Sequence, residues 1–156
     1  MPSILSRKRD LCYLIFFLLH LPILLVVDLY PLYPRAVIPA FMTALRTHYI
    51  QTYHDRFFTA PPAWFGLYIW MEALYHLPLC CWAIPALLQD DPRVPVALLI
   101  YAVQTVVTTA TCIADFLSWE AFSATQKVEL AKLYVPYLAV SVFMAVDMWA
   151  RLSAAL

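Results

Sequence analysis

The sequence predicts an all-α integral membrane protein, a four-transmembrane-helix bundle with Pro-kinked helices. Three observations carry this. Hydrophobic residues make up 64% of the chain and charged residues 13%, with a mean hydropathy of +0.75; soluble domains run at about 45–50% apolar. Four long apolar runs are separated by short polar or Pro-rich intervals. The chain has 1 Gly but 12 Pro, a balance that punctuates and bends helices rather than building turns of sheet.

The same composition excludes several functions. Net charge is +0, so no global basic field exists to hold nucleic acid. A lone Gly66 cannot build a Gly-rich phosphate loop. Cys12, Cys80, Cys81 and Cys112 all lie in apolar stretches without metal-ligand spacing and read as reduced packing residues. No metal and no cofactor is expected.

Residues 1–10 form a basic N-terminus with Arg7, Lys8 and Arg9. The apolar run that follows is about 17 residues, longer than a usual signal-peptide core, and no small-residue cleavage site follows it. It reads as a signal anchor and first span, about 11–30, kinked by Pro22. Residues 31–60 are the longest polar interval. Phe41, Leu45, Tyr49 and Tyr53 share one helical face there. They predict a short amphipathic helix that lies at the interface or caps the bundle. Thr59 is expected to cap the next helix, with Pro61 and Pro62 in its first turn.

The second span is expected at about 62–88, ending before Asp90, Asp91 and Pro92. The third is expected at about 95–117. Thr105, Thr108, Thr109 and Cys112 line one of its faces, suited to close approach and hydrogen bonding between helices. Residues 118–129, SWEAFSATQKVE, read as a polar loop. The fourth span is expected at about 130–150, with 151–156 as a short tail. Four crossings put both termini on one side. The basic charges divide equally between the two sides, and the cluster ahead of the first span then favours cytosolic termini.

The informative residues are the polar ones inside these spans. On a regular helix Trp64, Tyr68, Glu72 and His76 follow one another at i, i+4 and form a stripe. Glu72 lies near ~15 Å of depth, where a charge costs roughly 2.5–3.5 kcal/mol. It must be partnered or protonated, and His76 one turn on is a local candidate. Asp28 lies ~27 Å along the helix from Asp10, so it is either an interfacial residue or part of a cavity. His20 reads as a packing residue, and Asp115 and Asp147 as residues near a membrane face. Asp55 reads as a loop residue or a cap. If Asp28 and Glu72 share a cavity, only one ionises cheaply, and the other stays protonated and donates to it. Such a pair favours a cation, and aromatic neighbours such as Tyr49, Trp64, Phe65, Tyr134 and Tyr137 would add cation–π and apolar contact. The matching ligand is an amphipathic amine or a sterol-like body.

The segments HLPILLVVDL (20–29), PPAWFGLYIWMEALYHLP (61–78), IYAVQTVVTT (100–109) and LYVPYL (133–138) resemble the EXPERA-domain proteins of the sigma-2 receptor (transmembrane protein 97) branch. The resemblance covers about 11–150, with the motifs in order. Without a long Lys-rich tail, the chain looks more like the fungal efficient mitochondria targeting-associated proteins than like the animal receptor. The resemblance implies a multi-pass endoplasmic reticulum protein with cytosolic termini and a lipid-accessible pocket for sterols and cationic amphiphiles. It implies that Asp28 pairs with a ligand amine and that Glu72 hydrogen-bonds to Asp28. It gives Asp55 a structural role and makes Tyr49, Phe65, Tyr134 and Tyr137 pocket-lining. His76 departs from it, standing where the animal proteins carry an amide.

Two functions follow as expectations. One is a non-enzymatic binding protein in sterol homeostasis that, by the fungal resemblance, also helps hand mitochondrial precursors on from the endoplasmic reticulum. The alternative is a sterol Δ8–Δ7 isomerase using Asp28, Glu72 and His76 as an acid–base set. Expected partners are the lipid bilayer and a sterol or amphipathic amine. Apolar outer faces leave a homodimer open.

Overall fold

The structure, a computed structural model, describes residues 3–155. Residues 1, 2 and 156, which belong to the expected terminal segments, lie outside them. Six α-helices carry the chain: α1 (Lys8–Ile23), α2 (Ala40–Tyr53), α3 (Ala63–Met71), α4 (Leu77–Leu88), α5 (Val94–Ser118) and α6 (Ala124–Ser153). Two π-helical turns, Leu24–Asp28 and Glu72–His76, extend α1 and join α3 to α4. Short 3-10 turns occur at Tyr30–Leu32, Arg35–Val37 and Arg56–Phe58, and no strand occurs among the described residues.

Four helical runs are long and apolar enough to cross a membrane: Lys8–Asp28, Ala63–Leu88, Val94–Ser118 and Ala124–Ser153. This is the expected all-α membrane architecture. The chain divides into two compact units, the first ending at Asp91 and the second beginning at Pro92.

In the first unit α1 packs against α4. Tyr13, Leu14, Phe17, His20 and Leu24 are buried, a stripe at i, i+1, i+4, i+7 and i+11. Ile15, Leu18, Leu19 and Ile23 are exposed on the other side. A helix apolar all round is suited to lipid, not to water. Arg7 fastens the start of α1. Its guanidinium bonds Asp10 at 2.7 Å and Asp90 at 3.0 Å and donates to the Leu87 carbonyl at 2.6 Å. That carbonyl is one of the orphan acceptors that end α4.

Two expectations need correction here. Thr59 does not cap α3. It closes the 3-10 turn before it, and Pro62 precedes the helix in extended conformation. Pro61 and Pro62 therefore stand ahead of the first turn, not in it; Pro is limited to non-α backbone at a position followed by another Pro. The chain itself leaves the apolar stripe of α2 largely uncovered. Phe41 and Leu45 are 58% and 44% exposed, and only Met42 of that helix is buried.

The second unit is the pairing of α5 with α6. Leu98, Tyr101, Ala102, Thr105, Thr109, Cys112 and Phe116 are buried along α5. Threonine hydroxyls bond back onto the helix itself, Thr105 to the Tyr101 carbonyl and Thr108 to that of Thr105. In an apolar medium a hydroxyl bonds the nearest free lone pair, and the carbonyl one turn back supplies it. The expected polar loop at 118–129 is the second correction, since α6 already begins at Ala124. Ser123 accepts from the Gln126 N–H while the Gln126 side chain accepts from the Ser123 N–H, a complete capping box. At 30 residues α6 is ~45 Å long, longer than a ~30 Å hydrocarbon core, so its charged first turns need not enter lipid.

Candidate acidic site in the first unit

Asp28 is the last residue of the first π-turn, and Glu72 is the first residue of the second. Both are half-buried. Their carboxyls lie close enough for their charges to interact. The sequence left Asp28 between interface and cavity; in the structure it lies within electrostatic range of Glu72.

The second π-turn accommodates a proline. Pro78 has no N–H, and in an α-helix its ring would strike the Leu74 carbonyl four residues back. Here the Leu77 N–H instead reaches the Glu72 carbonyl, closing a wider turn immediately before the proline. The first π-turn closes similarly, from the Leu29 N–H to the Leu24 carbonyl at 2.9 Å. It begins two residues after Pro22. Tyr33 donates its hydroxyl to the Leu25 carbonyl at 2.8 Å, holding the irregular backbone from outside.

The second π-turn also ends the simple stripe. Trp64 and Tyr68 still meet, with ring centroids 5.1 Å apart. From Glu72 to His76 the turn holds more than 3.6 residues, so the face rotates out of the α-helical register. His76 is 3% exposed and meets the Tyr75 ring edge-on. It also lies near His20, close enough for an electrostatic interaction. His20, treated in the sequence as a packing residue, stacks on Phe16 at 5.4 Å.

Asp55 is fully buried. One carboxylate oxygen accepts the Phe57 N–H at 2.9 Å and the other accepts the Tyr49 hydroxyl at 2.9 Å. The residue caps the turn Arg56–Phe58 and ties it to α2. Tyr49 also packs on Phe58, ring centroids 4.5 Å apart. Phe65 stacks on Phe57 at 4.8 Å and 8°. Phe65 thus belongs to the Asp55 corner. Tyr134 and Tyr137 lie in the second unit. The Tyr134 ring packs against Phe116 at 5.5 Å, and the Tyr137 and Tyr101 hydroxyls are 3.1 Å apart. No group of three or more metal-ligating side chains occurs among the described residues.

Sequence reasoning missed Arg46, read only as one basic charge beyond the first span. Its guanidinium lies 4.8 Å from the Tyr30 ring centroid and 4.9 Å from that of Phe58. It also donates to the Phe58 carbonyl at 2.6 Å. Beside it is a cavity of about 60 Å³ lined by Val26, Val27, Leu45, Arg46, Tyr49 and Phe58. The available signal was composition: an Arg among aromatic residues in a Pro-rich interval, where a planar cation can stack.

The EBP family, described as EXPERA (EXPanded EBP superfamily), matches residues 41–148. The sigma intracellular receptor 2 of Macaca fascicularis is 29% identical over 147 residues, covering 86% of this chain and 83% of the relative. The human protein of the same name is 28% identical over the same shares. The efficient mitochondria targeting-associated protein 19 of Schizosaccharomyces pombe is 32% identical over 145 residues, covering 92% and 76%. The family match spans the helices that carry Glu72 and the Asp55 corner, and the chain belongs to the EXPERA family.

Proposed function

We propose that this protein binds sterols or cationic amphiphiles within the membrane, without chemistry, and that Asp28 and Glu72 form the polar end of the site. The observation that supports the reading is the placement of two carboxyls, within electrostatic range of each other, at π-turns of two apolar helices. A carboxylate that accepts from a neighbouring carboxylic acid holds one negative charge in low dielectric. A protonated amine offers the charge that offsets it, and an apolar body fills the lipid side. Tyr49 and Phe65 shape the site through the Asp55 corner, and His76 sets its polarity from the second π-turn. For Tyr134 and Tyr137, in the second unit, a lining role is implied by the family resemblance alone.

The reading places the protein in the endoplasmic reticulum with cytosolic termini, supported by Arg7, Lys8 and Arg9 ahead of the first span. Its name for mitochondria targeting in one relative supports a part in handing mitochondrial precursors onward. The test is capture of native lipid. The full chain and its Asp28→Asn variant are purified in nanodiscs, and the bound lipid is extracted and weighed by mass spectrometry. A sterol or amine enriched on the wild type and missing from the variant is expected. Equal lipid on both overturns the acidic site.

The isomerase reading has one observation in its favour, the two imidazoles of His20 and His76 near each other beside the Glu72 turn. Incubation with a Δ8 sterol separates the two. No Δ7 product is expected, and turnover abolished by Glu72→Gln would reverse the proposal.

A further inference from the structure

Helix α2 is held in an unusual way. Of its 14 residues only Met42 is buried; Phe41 and Leu45 are exposed, and Tyr49, Ile50 and Tyr53 are half-buried. Hydrophobic burial therefore contributes little to its docking. Its ties are polar and aromatic. Arg46 reaches the Phe58 carbonyl and lies between the Tyr30 and Phe58 rings. Tyr49 reaches Asp55. The Thr43 and Tyr30 hydroxyls are 3.3 Å apart.

Both ends of α2 are hinge-like. Pro39 enters in extended backbone, and His54 leaves at a φ of 55°, a left-handed conformation that only a few per cent of non-Gly residues adopt. The cavity of about 60 Å³ lies where α2 faces the first π-turn. Its floor is Val26 and Val27, the residues immediately before Asp28, and its roof is Leu45, Arg46 and Tyr49.

We propose that α2 is a hinged lid over the Asp28 end of the first span, and that Arg46, clasped by Tyr30 and Phe58, is its latch. The use of the lid, admitting the polar head of an amphiphile to Asp28, rests on the binding reading above; the motion does not. The physical logic is local. A segment with few buried apolar contacts opens sub-globally, at a fraction of the free energy of unfolding. Its closed population is then set by the few directional contacts it makes. Arg46 supplies three of them from one planar group, which a Lys would not reproduce. The hinge residues can absorb the rotation while α1, α3 and α4 stay packed.

The experiment uses the full chain in phosphatidylcholine nanodiscs. The background carries Cys12→Ala, Cys80→Ala, Cys81→Ala and Cys112→Ala, and Val27→Cys places a thiol on the cavity floor. Labelling by a small water-soluble methanethiosulfonate is followed with time, beside amide hydrogen exchange read by mass spectrometry. Arg46→Ala is expected to speed labelling at position 27 by about tenfold or more. It is also expected to speed exchange over residues 40–58 while α5 and α6 keep their rates. Unchanged labelling overturns the proposal, as does faster exchange spread equally through α5 and α6, which would mean general loosening. Should Arg46→Ala not fold, Tyr30→Leu removes one ring, leaves the Phe58 bond, and is judged by the same two readouts. Neither readout needs a ligand, so the lid can fail while the acidic site stands, and the reverse.

Discussion

Replacing Asp55 separates a structural carboxylate from a ligand-binding one. The carboxylate is fully buried and accepts hydrogen bonds from the Phe57 N–H and the Tyr49 hydroxyl, each at 2.9 Å. Asp55→Ala leaves both donors without their acceptor. A buried donor that loses its partner costs about 1–3 kcal/mol, so the two together cost roughly 4 kcal/mol. At about 2–4 °C per kcal/mol for a chain of this length, the melting temperature should fall by roughly 8–16 °C. Asp55→Asn is the control. Its amide oxygen still accepts the Phe57 N–H, and its NH2 group can donate to a Tyr49 hydroxyl that rotates to accept. The loss should then be about 1–2 kcal/mol. Thermal unfolding in detergent micelles, followed by helix signal, reads both. Equal melting temperatures for the two variants, or an Asp55→Ala protein as stable as wild type that has lost ligand binding, would refute the structural role.

Two further predictions concern the ends of helices. Arg7→Ala removes one group that serves Asp10, Asp90 and the Leu87 carbonyl, and should cost about 2–3 kcal/mol by charge-assisted bonding in a mostly covered setting. Arg7→Lys should recover only part of it in the same melting assay, because a point charge cannot match that fan of acceptors; full recovery would contradict the geometry. Ser123→Ala breaks the capping box of α6 and should cost about 1 kcal/mol. Its signature is faster amide exchange confined to the first turn after residue 123, and unchanged rates there would show that the box holds nothing.

How much of this was legible follows from which forces leave a trace in sequence. The spans were legible because lipid demands long apolar runs, and those are written residue by residue. Their ends were less so. Ser123 and Gln126 form a capping box that the surrounding polar residues disguised as loop, and Thr59 resembled a cap but serves a shorter turn. The carboxyls were legible as misfits, Glu72 by its depth. That they come within electrostatic range was not legible from spacing, which relates residues of one helix and not Asp28 of the first span to Glu72 of the second. Pro22 and Pro78 flank the π-turns, yet Pro85 and Pro136 sit inside α4 and α6 without one. Proline alone is therefore not the signal. Arg46 was illegible for another reason: its partners Tyr30 and Phe58 lie 16 and 12 residues away on irregular segments, where no period relates them.

The most direct test of the acidic site compares two ligands that differ in one charge. A tritiated amphiphile carrying a tertiary amine and its neutral alcohol isostere are titrated onto wild-type protein and onto Asp28→Asn in nanodiscs. A charge-assisted contact of about 1.5–3 kcal/mol corresponds to a roughly 10- to 100-fold change in Kd. Wild type is expected to prefer the amine by about that factor, and Asp28→Asn to lose the preference while still holding the alcohol. An amine preference that survives in Asp28→Asn would contradict the acidic site.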